Sequence, residues 1–153
     1  MQQLKPPTAL CEYDCPVLFL AGSIEMGKAR DWQSELSQAL RDIEGLVVLN
    51  PRRDDWDDCW LQSIDNPQFH EQVSWELSGL EKATTVAFYF IPGTKSPITL
   101  LELGLFAASG KCVVFCPEGY WRKGNVDIVC QRYGVKTVNC WEELLGELRK
   151  RLG

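Results

Sequence analysis

With 153 residues, 45% of them hydrophobic and 24% charged, the chain has ordinary globular composition and the length to bury one domain core. A net charge of −5 argues against a nucleic-acid backbone as partner, because phosphate binding needs clustered Lys and Arg. No apolar run approaches the ~20 residues of a membrane span, so no membrane partner is expected either.

The opening "MQQLKPPTALCEYDCP" has no basic stretch followed by an apolar core, so a signal peptide is not expected. Residues 1–16 read as an N-terminal arm and residues 17–153 as a single domain. "VLFLAG" (Val17 to Gly22) is a continuous apolar run closed by Gly, the pattern of a strand buried on both faces. From Lys28 the period changes: Ala29, Trp32, Leu36, Ala39, Leu40 and Ile43 share a helical face, with Gly45 as a stop. "LVVLNP" is a second strand. The irregular stretch "RRDDWDDCWLQSIDNP" follows, long enough to suggest a functional segment.

A helix pattern resumes at Gln68, with Phe69, Val73, Leu77 and Leu80 on one stripe. "TTVAFYFIP" is a third strand and "GTKSP" a turn, with Ser96 as N-cap and Pro97 at the first helical position of the next helix. "CVVFCP" and "VKTVN" are further strands, separated by a polar segment to Tyr133. "WEELLGELRKRL" is a last helix with Trp141, Leu144, Leu145, Leu148 and Leu152 inward, and its basic end suits a helix C-terminus. The seven scattered cysteines form no CxxC, and His70 is the only histidine. They read as reduced, mostly buried thiols of a cytoplasmic protein, and no metal site is expected.

Five strands alternating with helices imply a three-layer α/β fold: a flavodoxin-like (Rossmann-like) five-stranded parallel sheet, order 2-1-3-4-5, with helices on both faces. The ligand crevice then falls between strands one and three at their carboxyl ends, walled by "GSIEMG" and "PGTKSP". Gly22, Ser23, Ile24 and Ser96 are therefore candidate substrate contacts.

Two glutamates stand out. Glu102 sits among Ile98, Thr99, Leu105 and Phe106, and Glu76 falls between Phe69, Val73 and Leu80. A solvent-facing reading fits Glu35, Glu142, Glu143 and Glu147. It fits Glu102 poorly, because an uncompensated carboxylate is costly to bury. Glu76 reads equally as a partner acid or as a loop lock. A carboxylate pair in a crevice can displace a group at an anomeric carbon, one attacking while the other protonates the leaving group.

The segments "FLAGSI", "NPRRDDW", "QVSWELSGLEKA" and "SPITLLELG" occur in this order within Val17 to about Val138. Together they resemble the nucleoside 2-deoxyribosyltransferase superfamily, in particular its 2-deoxyribosyltransferase-like branch. The resemblance implies that Glu102, in x-x-E-L-G, is the nucleophile that forms a deoxyribosyl-enzyme ester. It implies that Glu76 contacts the leaving base and assists its protonation. It also implies a small-molecule nucleoside or nucleotide partner, a homo-oligomer, and no cofactor.

Three positions depart from the better-known members. The sugar-contacting aspartate is Ser96 here, which is similar to the deoxynucleoside 5′-monophosphate N-glycosidases, where a serine binds phosphate. Their arginine after Gly-Ser-Ile is Glu25, whose charge would repel a phosphate unless Arg52, Arg53 or Lys28 compensates. The strand-one tyrosine that touches the nucleophile is Phe19. The loop "RRDDWDDCW" has two readings: a solvated acidic turn with Trp56 or Trp60 on the core, or a lid. In the lid Trp56 stacks on a base, and Arg53 or Asp55 bonds to base or sugar. A binding module without efficient turnover is the competing function, favoured by Phe19 and Glu25. A flavodoxin-type cofactor binder is disfavoured, because "GSIEMG" lacks a Ser/Thr-rich phosphate loop.

Overall fold

A computed structural model describes residues 1–25 and 30–153. The strands are β1 (Gln2–Leu4), β2 (Val17–Gly22), β3 (Val47–Leu49), β4 (Thr85–Tyr89), β5 (Cys112–Phe115) and β6 (Lys136–Val138). The helices are α1 (Trp32–Ala39), α2 (Pro67–Lys82), α3 (Pro97–Phe106), α4 (Lys123–Tyr133) and α5 (Trp141–Leu152). All strand pairs are parallel, in the order β1-β3-β2-β4-β5-β6.

The expectation of a five-stranded sheet is corrected: among the described residues the sheet has six strands. The sixth comes from the arm, where Gln2, Gln3 and Leu4 lie opposite Val47, Val48 and Leu49. "QQL" is short and mostly polar, with Gln2 and Gln3 exposed, so nothing in its pattern marks a strand. It is an edge strand held by a neighbour's free backbone groups. The arm is also tied down at Thr8, whose carbonyl accepts the Trp75 indole N–H at 2.8 Å.

Strands β2, β3 and β4 are buried throughout, as apolar strands between two helical layers must be. One core lies under α2, α3 and α4, with Phe19, Trp75, Leu80, Phe88, Leu103 and Val126. The other lies under α1 and α5, with Leu20, Trp32, Leu36, Tyr89, Leu144 and Leu148. The helices that follow β2 and β4 thus leave on opposite faces, which opens a crevice between those strands.

Two helix readings change. The first helix begins at Trp32, capped by Asp31, whose side chain accepts the Ser34 N–H. Lys28 and Ala29 lie outside the described residues, as do Met26 and Gly27 of the crevice wall. On α2 the inward stripe is Gln72, Trp75, Gly79 and Leu80, while Leu77 is exposed and Phe69 and Val73 are half-buried. Phe19 decides this: a β-carbon on Gly79 would lie 2.8 Å from its ring, so the helix seats on the sheet through its glycine. Among the described residues no helix is long and apolar enough to cross a membrane.

Candidate active site

The crevice is built where β2 ends. Gly22 admits no side chain: a β-carbon there would lie 2.4 Å from the Tyr89 carbonyl oxygen and 2.6 Å from the Trp32 ring. Ser23 carries the pairing one residue further, donating its N–H to Tyr89 O at 3.0 Å. The buried Ser23 hydroxyl accepts the Ile91 N–H and meets Thr94 Oγ1 at 2.8 Å and Ser96 Oγ at 2.6 Å. Thr94 and Ser96 lie 3.0 Å apart, and Thr94 donates to Ile91 O. Three hydroxyls thus knit the turn after β2 to the turn after β4.

Ser96 occupies the N-cap position of α3, but its hydroxyl makes no capping bond and its φ is +49°. Its side chain belongs to the hydroxyl knot instead. An anion at this helix start comes from elsewhere: Glu25 Oε1 accepts the N–H groups of Lys95 (2.9 Å) and Ser96 (3.1 Å). Glu25 also holds a left-handed φ, +46°. Two side-chain-bearing residues in this sparsely populated region, one on each wall, mark a turn geometry fixed by its cross-links. Ile24, between them, is half-buried.

Glu102 lies on the inward face of α3 beside Thr99 and Leu103, and only 7% of it is exposed. The outward face of the same helix carries Ile98, Leu101 and Leu105, each more than half exposed. The pattern was apolar on both sides, so hydrophobicity could not tell which side faced the sheet. Glu76 comes in from α2, half-buried, and Gln72 Nε2 donates to its Oε1 at 2.7 Å. Burial pushes the Glu102 carboxyl up to about 8, and the negative charge of Glu76 adds to the rise. Burial raises Glu76 to about 7, opposed by the Gln72 bond. Both carboxyls are therefore raised toward neutral pH, and the charge of Glu76 is felt at Glu102.

The segment after β3 is braced within itself. Arg53 is almost wholly buried and bonds Asp55 (2.7 Å) and Glu71 (3.1 Å), with its guanidinium 4.9 Å from the Trp60 ring centre. Those bonds raise its pKa above the ordinary arginine value. Asp55 is largely exposed, and its pKa is lowered by Arg53. Trp56 tilts against Trp60 at 5.2 Å and donates its indole N–H to Asp58. Arg53, Asp55 and Trp56 thus form one cluster, separate from the Ser23–Ser96 knot. A cleft of about 630 Å³ opens here, with Lys5, Asp31, Arg52 and Trp56 among its walls, and neither Glu102 nor Glu76 lines it.

Several residues were not singled out from the sequence. Gln72 bridges Glu76 to the Pro51 carbonyl, 3.1 Å away. Asn50, fully buried just past β3, accepts the Arg52 N–H. Tyr120 and Trp121, after β5, both donate to Lys95 O, and the Lys95 ammonium and the Arg122 guanidinium lie 4.5 Å and 4.3 Å from the Trp121 ring centre. None of them carried a local signal in the sequence, and Gln72 is absent from the expected stripe of Phe69, Val73, Leu77 and Leu80. Phe19 is fully buried, its ring 6.2 Å from that of Trp75. Of the seven cysteines, all free, Cys112, Cys116 and Cys130 are buried and Cys11 and Cys59 exposed. Burial pushes the Cys116 thiol up to about 12 and Cys130 to about 11, so neither is a thiolate at neutral pH.

A parallel sheet with helices on both faces, carrying a buried Glu102 on α3 and a half-buried Glu76 on α2, defines an α/β domain with two carboxyls of raised pKa. The chain belongs to the nucleoside 2-deoxyribosyltransferase-like family, whose model matches residues 15–120. No curated protein matches it. A crystal structure of a conserved protein from Enterococcus faecalis V583 shares the fold: TM-score 0.65, 12% identity, covering 90% of this chain and 99% of that one.

Proposed function

We propose that the protein cleaves the N-glycosidic bond of a nucleoside-like substrate, passing the sugar to another base or to water. The observation that carries this is that Glu102 and Glu76, from two helices, both have raised pKa values, with the charge of Glu76 felt at Glu102. In the reactive form Glu102 is ionised and Glu76 carries a proton; with Glu102 at about 8 and Glu76 at about 7 this is the less populated of the two singly protonated arrangements. A Glu102 oxygen bonds to the anomeric carbon as the carbon–nitrogen bond breaks, its electrons leaving with the base, which takes the Glu76 proton. Water or an incoming base then attacks the anomeric carbon, its bond to the Glu102 oxygen breaks and returns the carboxylate, and the Glu76 carboxylate accepts the proton released. An acid poised near pH 7 is suited to both halves.

Gly22, Ser23, Ile24 and Ser96 would wall the sugar, with Arg53, Asp55 and Trp56 bordering the base side as a braced loop. Glu25 supports an uncharged sugar 5′ position, since it already occupies the Lys95 and Ser96 amides. The unpaired cysteines support a cytoplasmic setting. The uncharged outward stripe of α3 supports a homo-oligomer.

The test is base release from a panel of nucleosides and nucleotides, with intact-mass analysis for a glycosyl adduct. Glu102→Gln abolishes both. Wild-type turnover in that variant overturns the mechanism. A second reading, a nucleoside-binding module without turnover, is favoured by Phe19, which is sealed against Gly79 and Trp75 and offers no hydroxyl to the site. Ligand binding with neither base release nor adduct would select it.

A further inference from the structure

We propose that Gln72 is the positioning residue of the pair, tying Glu76 Oε1 to the chain just past β3 so that Glu76 carries and delivers its proton through Oε2. This rests on the reading of Glu76 as the acid.

Gln72 lies one turn before Glu76 on α2 and is 3% exposed. Its Nε2 is 3.1 Å from Pro51 O and 2.7 Å from Glu76 Oε1. A carbonyl oxygen can only accept, so Pro51 fixes which end of the amide is the nitrogen. The reverse orientation would set an oxygen against Pro51 O and Glu76 Oε1 together. With one N–H committed to Pro51, the other points at Oε1 and keeps that oxygen an acceptor. A proton on Glu76 must then sit on Oε2.

The amide does this at its own expense. Gln72 Oε1 is buried and, among the described residues, has no hydrogen-bond partner. A buried acceptor left without a partner is destabilising. Pro51 connects the tie to the exit of β3, so the acid is referenced to the sheet and not to α2 alone. The charged group that faces the pair from α3 is Glu102. Donation from Gln72 also stabilises the ionised form of Glu76, which the second half of the reaction requires.

The experiment compares Gln72→Met, close in volume and without the amide, with wild type; Gln72→Leu is the second variant. The readouts are the 13C titration of the Glu76 carboxyl, assigned by its loss in Glu76→Gln, the pH profile of base release, and the melting temperature. The Glu76 midpoint is expected to move to higher pH, and the alkaline limb of base release with it. kcat falls roughly tenfold, more than KM changes, and the melting temperature holds or rises. An unmoved Glu76 titration in a folded variant, or a lowered melting temperature with kcat and the limb unchanged, overturns the proposal. The titration needs no substrate, so it separates two failures. A midpoint that moves while the limb stays put upholds the tie and overturns Glu76 as the acid.

Discussion

Glu102→Gln should change how stability depends on pH, quite apart from catalysis. Glutamine keeps the size and polarity of the side chain and removes its titration. In the folded protein the carboxyl is raised from 4.5 to about 8, by burial and then by the Glu76 charge. A carboxyl whose folded pKa exceeds its unfolded one favours the folded state fully below about pH 4.5. That contribution is lost as pH rises to about 8, and the loss is complete above it. A shift of this size corresponds to at most about 5 kcal/mol. Coupling to Glu76 and local hydration bring the working figure to about 2–3 kcal/mol. For a domain of this size each kcal/mol moves the melting temperature by roughly 2–4 °C. Relative to wild type, the variant should therefore gain roughly 5–10 °C between pH 5 and pH 9. Thermal unfolding followed by circular dichroism at pH 5, 6, 7, 8 and 9 measures this, and subtracting the curves removes groups that titrate alike in both. Parallel curves would refute the burial of an ionisable Glu102.

Two more outcomes follow from the crevice mouth and the outer layer. Nucleosides should bind or react better than their 5′-monophosphates. Like charges at ~4 Å repel by about 1–4 kcal/mol, and even the low end is about fivefold in affinity. Glu25→Arg should narrow or invert that ratio, and a tenfold wild-type preference for monophosphates would sink the argument. Sedimentation velocity should show an oligomer at micromolar concentration, and Leu101→Glu should shift it toward monomer; a wild-type monomer would remove the role given to the α3 stripe.

The chain's own order determined much of this architecture. Uninterrupted apolar runs such as "VLFLAG" can only be strands covered on both faces, and helical periodicity between them forces parallel crossovers on two sides of one sheet. The inward placement of Glu102 was legible for a related reason: a lone charge inside an apolar helix demands an explanation. Tertiary structure decided what carries no local signal. "QQL" is a strand only because β3 has a free edge. The face that α2 turns inward is set by Phe19 against Gly79, across 60 residues of sequence, and so Leu77 lies outside. Ser96 spends its hydroxyl on Ser23 and Thr94, and the anion at the α3 start is Glu25 from the opposite wall. Gln72 becomes significant only once Pro51 and Glu76 are brought to its two N–H groups. Periodicity reports which residues leave water; which of them then meet is settled by long-range packing and by where each buried donor finds an acceptor.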